Sequence, residues 1–288
     1  MKKVDFAIIG AGPCGISAAI QLKKSGIEPM LFEKESVGGL LNYAGMIDNY
    51  PGFPEGIKSE ELIKRMHSHL KKIGVKPIFE EVKCVEKHLG RLLIRSASNE
   101  YLARYLILCT GTRCKKADEW IEKKAKDRLS YDVKQLKDVS GKKIAIIGSG
   151  DAAFDYALQI SGKNKVYVFG RSQVPRAIKS LVRLVKKENN IDVFMENKIQ
   201  GIDALNDGRL KLLFDNHTCI VDYLVCAIGR IPNIDFIKGL NLDNEKQKGR
   251  LKIAGSVCTG NYRQTAIAVG MGIKAAMEIS ENAFENNS

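Results

Sequence analysis

Two glycine-rich turns decide most of what this chain can become: "FAIIGAGPCGISAAI" from Phe6 and "KKIAIIGSGDAAFDYAL" from Lys142. Each follows an apolar run short enough for a buried strand and opens a segment with helical apolar spacing. A strand that turns sharply into a helix aims backbone N–H groups and the positive end of the helix dipole at one point, where a pyrophosphate can sit. Two such turns predict an α/β chain with two Rossmann-like, three-layer dinucleotide-binding domains.

In the first turn, Gly10-Ala-Gly12-Pro-Cys-Gly15 fits G-x-G-x-x-G. Gly10 makes the tight turn, Gly12 lets a pyrophosphate approach the backbone, and Gly15 lets helix and strand pack closely. "ISAAIQLKKSG" supplies the helix with Gly26 as its C-terminal cap, and "EPMLFEK" the second strand, ending at Glu33. That carboxylate is placed to accept ribose hydroxyl protons. The second turn, Gly148-Ser-Gly150-Asp151-Ala152-Ala153, has alanine in place of the third glycine. Its following strand, "KVYVFGR", ends at Gly170-Arg171 with no acid at the tip. An acid there would repel a 2′-phosphate, whereas Arg171 and Arg176 can bind one, which favours NADP(H) over NAD(H).

Two further apolar runs, "YLILCTGT" at 105–112 and "YLVCAIGR" at 223–230, end in glycine turns. They read as strands that close the two nucleotide units and carry the chain between them. The expected first domain is therefore split, 1–111 and 232–288, with a second domain at 112–231 inserted.

Of the 288 residues, 44% are hydrophobic, and no apolar run reaches the length of a membrane span, so a globular protein with no membrane partner is expected. The start, "MKKVDFAIIG", has the lysines and apolar stretch of a signal peptide, but Asp5 and the glycines read better as mature structure. Seven scattered cysteines form no C-x-x-C pair and, being odd in number, no complete intramolecular disulfide set, which points to a reducing cytoplasm. No metal-ligand spacing occurs; His67 and His69 fall on different sides of an expected helix. The formal charge is +13, and "RSQVPRAIKSLVRLVKK" from Arg171 carries six basic residues and no acid. A nucleotide phosphate would account for part of that strip, an acidic protein partner or a solvated helix face for the rest, and nucleic acid is not expected.

With these residues in place, the chain resembles the low-molecular-weight thioredoxin reductases and related flavoproteins with two dinucleotide sites. The resemblance runs from about Asp5 to about Met277 and rests on both turns, Glu33, Gly38-Gly39, "DNYPGF" (48–53), Thr110-Gly111, "IGRIPN" (228–233) and "RQTAIAVGMGIKAA" (263–276). It implies an outer FAD domain, an inserted NADPH domain and a homodimer. By position, Gly10, Gly12, Gly15 and Glu33 would hold the ADP half of FAD. Gly38, Gly39 and Asn49 would lie near the flavin ring, as would Arg263 and Gln264 at the start of the last helix, with Thr110 and Gly111 near the cofactor. Gly148, Gly150, Asp151, Ala152, Arg171, Arg176, Gly229 and Arg230 would belong to the NADPH site.

Four departures from the family pattern bear on function. The positions of the redox-active C-x-x-C appear as Tyr131 and Lys134, in "YDVK", so the usual relay to thioredoxin is not expected. Cys109 and Cys114 are no substitute, being expected in a strand and beyond its turn. An acid that binds the FAD ribityl chain is replaced by Ser256, which exchanges a charged-acceptor bond of about 1.5–3 kcal/mol for a neutral one nearer 1. The segment 243–251 is short. Cys14 stands where alanine is usual, at a helix N-terminus that can activate a thiol, as in bacillithiol-disulfide reductase-like flavoproteins; it is the one catalytic candidate, with Cys258 a second thiol near the flavin. The expectation is an FAD enzyme that oxidises NADPH and passes electrons to an external acceptor such as ferredoxin or flavodoxin. The alternatives are a small-disulfide reductase using Cys14, or a nucleotide-binding protein with weakened FAD affinity and no turnover.

Overall fold

A computed structural model describes residues 1–117 and 127–285. The chain forms two compact units. One comprises Met1–Asn42, Met46–Arg113 and Ile231–Ser288, the other Tyr43–Gly45 and Cys114–Arg230.

At the centre of the first unit lies β1 (Lys2–Ile9), parallel to β2 (Pro29–Glu33) on one side and to the strand Glu100–Leu108 on the other. Phe6 to Ile9 are buried without alternation, as a strand covered on both faces must be. Between β1 and β2 the chain crosses over in α1 (Pro13–Lys24), which starts on proline and ends before Gly26, whose φ of +77° suits the cap. One face of the sheet packs Ile8, Tyr105 and Ile107 against Ala18, Ala19 and Leu22 of α1 and Ala276 and Ile279 of the last helix, Thr265–Glu285. The other face packs Ala7, Ile9 and Leu106 against Leu92 and Ile94 of the antiparallel strand Arg91–Ser96 and against Phe236 and Ile237. After the second unit, Leu251–Ile253 returns to pair in parallel with Glu100–Leu108, so distant stretches of chain complete one sheet.

The second unit repeats this plan. Leu129–Ser130, Tyr223–Cys226, Lys143–Ile147, Lys165–Phe169 and Ile191–Phe194 form a parallel sheet in that spatial order. Helices Asp151–Ser161 and Lys179–Val185 bury Phe154, Ala157 and Val185 on one face. On the other, the antiparallel strands Ile199–Ala204, Leu210–Phe214 and Thr218–Val221 bury Ile202, Leu212 and Val221. Each unit is thus helices, parallel sheet and antiparallel strands, the three-layer α/β arrangement expected from the two turns. No described helix is long and apolar enough to cross a membrane.

Candidate functional site

In the first unit Gly10, Glu33 and the Thr110-Gly111 turn lie at the carboxyl ends of the parallel strands, where open α/β sheets bind ligands. Gly10 has φ +103°, and a Cβ there would lie 2.5 Å from the Cys109 carbonyl oxygen. At Gly15 a Cβ would fall 1.8 Å from the Gly10 oxygen. The turn is thus built from backbone alone. Gly38 N–H donates to the Ala11 carbonyl at 2.8 Å, and Gly39 lies over Gly12 so closely that a Cβ on it would be 3.1 Å from Gly12 Cα. Asn42 fixes that second turn by donating from Nδ2 to the Val37 and Gly39 carbonyls, a positioning role the sequence did not disclose.

Glu33 is buried at the tip of β2. Its Oε2 accepts the Ala11 N–H at 2.8 Å and its Oε1 accepts the N–H groups of Lys34 and Glu35. Three of about four acceptor positions are filled, leaving one for a ribose hydroxyl. The carboxylate therefore also ties β2 to the glycine turn. Thr110 Oγ1 is buried with no hydrogen-bond partner, and so is Thr259 Oγ1. A buried, unpaired hydroxyl is costly and marks a place where a ligand group fits. Nothing in the sequence distinguished Thr259 from its neighbours. Beside Thr110, Gly111 takes φ +61° and accepts the Asn233 N–H.

Asn49 Nδ2 donates to Gln264 Oε1 at 2.9 Å, which joins two predicted residues that lie far apart in sequence. Gln264 caps the last helix through its carbonyl, which accepts the Ala268 N–H, and half-buried Arg263 precedes it. Ser256 is half-buried beyond the Gly255 turn. Cys14 and Cys109 are both buried, with their sulfurs 3.2 Å apart. Cys109 follows the last residue of its strand rather than lying within it. The Cys14 contact, then burial, push the Cys109 thiol well above its usual range. Burial also raises Cys258, although that residue is exposed overall.

The second unit presents the same kind of turn. Gly148 has φ +139°, and a Cβ on it would sit 2.3 Å from the Ala227 oxygen, while Gly150 faces open space. Ala153 is fully buried where the first turn requires glycine, and Ala152 is exposed beside it. Ser149 accepts the N–H groups of Arg176 and Ala177 on its carbonyl at 2.7 and 3.0 Å. Asp151 Oδ1 accepts the Ile178 N–H at 2.8 Å. These bonds fold the segment after Arg171 back onto the turn. Arg171 and Arg176 are exposed there, and neither has an ion-pair partner among the described residues. Gly229 accepts the Lys115 N–H, and the Arg230 guanidinium donates to Cys114 Sγ at 2.7 Å. Tyr131 accepts the Ala117 N–H on its phenol oxygen and packs into the core of this unit. Burial raises Cys226 to about 12, which keeps that thiol protonated.

A recess of about 570 Å³ is lined by Val4, Gly26, Pro29, Val75 and Lys76 among others. It opens at the amino end of β1 and β2, away from both turns of the first unit. The described residues contain no cluster suited to a metal ion.

Comparison with known proteins agrees with this geometry. The chain is 29% identical to the thioredoxin reductase of Rickettsia prowazekii, over 95% of this chain and 96% of that one. It is also 29% identical to the ferredoxin–NADP reductase of Ignicoccus hospitalis, over 83% and 81%. The structure of Lactococcus lactis thioredoxin reductase superposes with a TM-score of 0.90 at 25% identity, covering 98% of this chain and 99% of that one. Residues 4–265 match the family described as pyridine nucleotide-disulphide oxidoreductase, whose thioredoxin and ferredoxin–NADP reductase members are FAD- and NADPH-dependent enzymes; the chain belongs to that family.

Proposed function

We propose that the chain takes a hydride from NADPH in its second unit to FAD in its first, and passes the electrons to an external acceptor without a C-x-x-C dithiol. The observation that supports this best is the backbone cradle of Gly10, Gly12 and Gly39 beside the unpaired Thr110 hydroxyl. Such a surface suits a pyrophosphate and a neighbouring cofactor hydroxyl. Bound FAD supplies a two-electron acceptor whose chemistry needs no protein acid or base for hydride transfer.

The residues' work is to bind and orient. The first glycine turn and α1 take the pyrophosphate, and Glu33 gives its remaining acceptor position to a ribose hydroxyl. Asn49 and Gln264, held to each other, flank the flavin end, where the amino terminus of the last helix favours negative charge. In the second unit Gly148 and Gly150 take the NADPH pyrophosphate, and Arg171 and Arg176 its 2′-phosphate. Asp151 and Ser149 keep the arginine segment in place.

For the acceptor we favour an acidic one-electron carrier of the ferredoxin or flavodoxin kind. The excess of basic residues would speed its approach. A bulky disulfide attacked by Cys14 directly is less well supported, because that sulfur is buried. The assembly is inferred to be a homodimer, as the resemblance implies.

An anaerobic titration with NADPH and NADH, followed by visible absorbance, tests the reading. Flavin colour should bleach with NADPH and return when the right acceptor is added. A protein that takes up no added FAD, yet binds NADPH, would replace this reading with that of a nucleotide-binding protein without turnover.

A further inference from the structure

Seven cysteines are spread through this chain, yet among the described residues the Cys14 and Cys109 sulfurs form the only pair in contact. They come from residues 95 apart in sequence and meet beneath the first glycine turn. Their surroundings are closely packed. A Cβ on Gly255 would lie 2.8 Å from Cys14 Cβ and 3.0 Å from its sulfur, and one on Gly15 would lie 3.4 Å from Cys109 Cβ. On the helix side, a Cβ on Gly272 would fall 2.1 Å from the Cys14 carbonyl oxygen. The sulfurs are 3.2 Å apart, so reaching a disulfide bond length of about 2.05 Å takes a relative movement of little more than about 1 Å.

We propose that Cys14 and Cys109 are an oxidation site: a small hydroperoxide converts this pair, in preference to the other five cysteines, into a reversible disulfide beneath the dinucleotide turn. The proposal is independent of the acceptor and of FAD uptake. Burial restricts the oxidant to a molecule near the size of water, which a hydroperoxide can be and a bulky disulfide cannot. The two thiols differ in role. Cys14 lies in the first turn of α1, and Cys109, whose thiol the Cys14 contact and burial push well above its usual range, retains its proton. Cys14 sulfur attacks the peroxide, the O–O bond breaks, and an alcohol or water leaves with the thiol's proton, giving a sulfenic acid. Cys109 sulfur then displaces the hydroxyl group, which leaves as water with the second thiol's proton. Two thiols lose two electrons, and one peroxide gains them.

The test uses the purified holoprotein, exposed to a small excess of hydrogen peroxide, alkylated under denaturing conditions and digested with trypsin. Cleavage after lysine and arginine places Cys14 in peptide 4–23 and Cys109 in peptide 105–113. These two should appear as one disulfide-linked species that dithiothreitol separates, with the other five cysteines still alkylated. Cys109→Ser should instead leave Cys14 as a sulfenic acid that a cyclic 1,3-diketone traps, and Cys258→Ala should behave as wild type. Recovery of Cys14 and Cys109 alkylated at peroxide levels that oxidise Cys258 would overturn the proposal, as would their linkage to other cysteines. The wild-type measurement needs no variant to fold. It also reads out on a chain that binds no flavin, so failure of the proposed enzymatic function would be seen separately.

Discussion

At Gly15 one methyl group is too many, because its Cβ would occupy the space of the Gly10 oxygen, whereas Ala153 fills the matching place in the second turn at full burial. Gly15→Ala should therefore cost about 1–3 kcal/mol or more of stability and strip the protein of bound FAD, as thermal unfolding and flavin absorbance would report. Ala153→Gly should cost about 1 kcal/mol of stability through its helix and leave flavin content unchanged. The arginines act on a different ligand. Replacing Arg171 and Arg176 together with glutamine should raise KM for NADPH about tenfold to a hundredfold, with kcat and the KM for NADH little altered. Asp155 gives a pH signature. Its carboxyl sits above the ordinary 3.8, mainly through burial and against hydrogen bonds from the Gly45 N–H and Gln159. A raised acid is easier to protonate in the folded chain, so its contribution to stability falls as pH climbs from the unfolded value through the folded one and is flat beyond. Asp155→Asn should remove that decline, so the Tm gap between variant and wild type widens across this window in a thermal series. Residue types at turn positions were legible because their constraints are local. The Cys14–Cys109 contact and the unpaired Thr259 hydroxyl were not, since each depends on which distant segments fold against it.

Among elements, the strand–turn–helix units could be read closely: apolar spacing and Gly26 specify the end of α1, while its start lies at Pro13, ahead of the apolar run from Ile16. The antiparallel strands 82–96 and 199–221 escaped notice: their half-buried patterns carry less signal than a buried strand running into glycine. So did the attachment of Tyr43–Gly45, whose Tyr43 carbonyl and Gly45 N–H bond to Gln159 and Asp155 on the second unit's first helix. The segment after Arg171 is instructive because its place depends on a few bonds. Asp151→Ala removes the acceptor for the Ile178 N–H and should raise KM for NADPH several-fold without changing flavin content. A loss of flavin instead would show that the carboxylate has some wider structural role.

For the whole molecule, the charge balance and the absence of a spanning helix said little, while two turns in one chain said nearly everything about architecture. The exits from the first unit are held beside each other: Asn233 N–H donates to the Gly111 carbonyl, and Arg113 pairs with Asp235. Joining residue 113 to 231 through a short glycine linker should thus give a protein that still binds FAD and that NADPH no longer bleaches; an insoluble product would show that the first unit needs the second to fold. The return of Leu251–Ile253 to the opening sheet also sets an order of events during synthesis. The ribosome delivers the second unit as a nearly continuous run, but the first must wait for its last strand and for the helix Thr265–Glu285 that covers α1. Until that helix emerges, Ala18, Ala19 and Leu22 remain without their lid, so a unit begun before the second is completed after it.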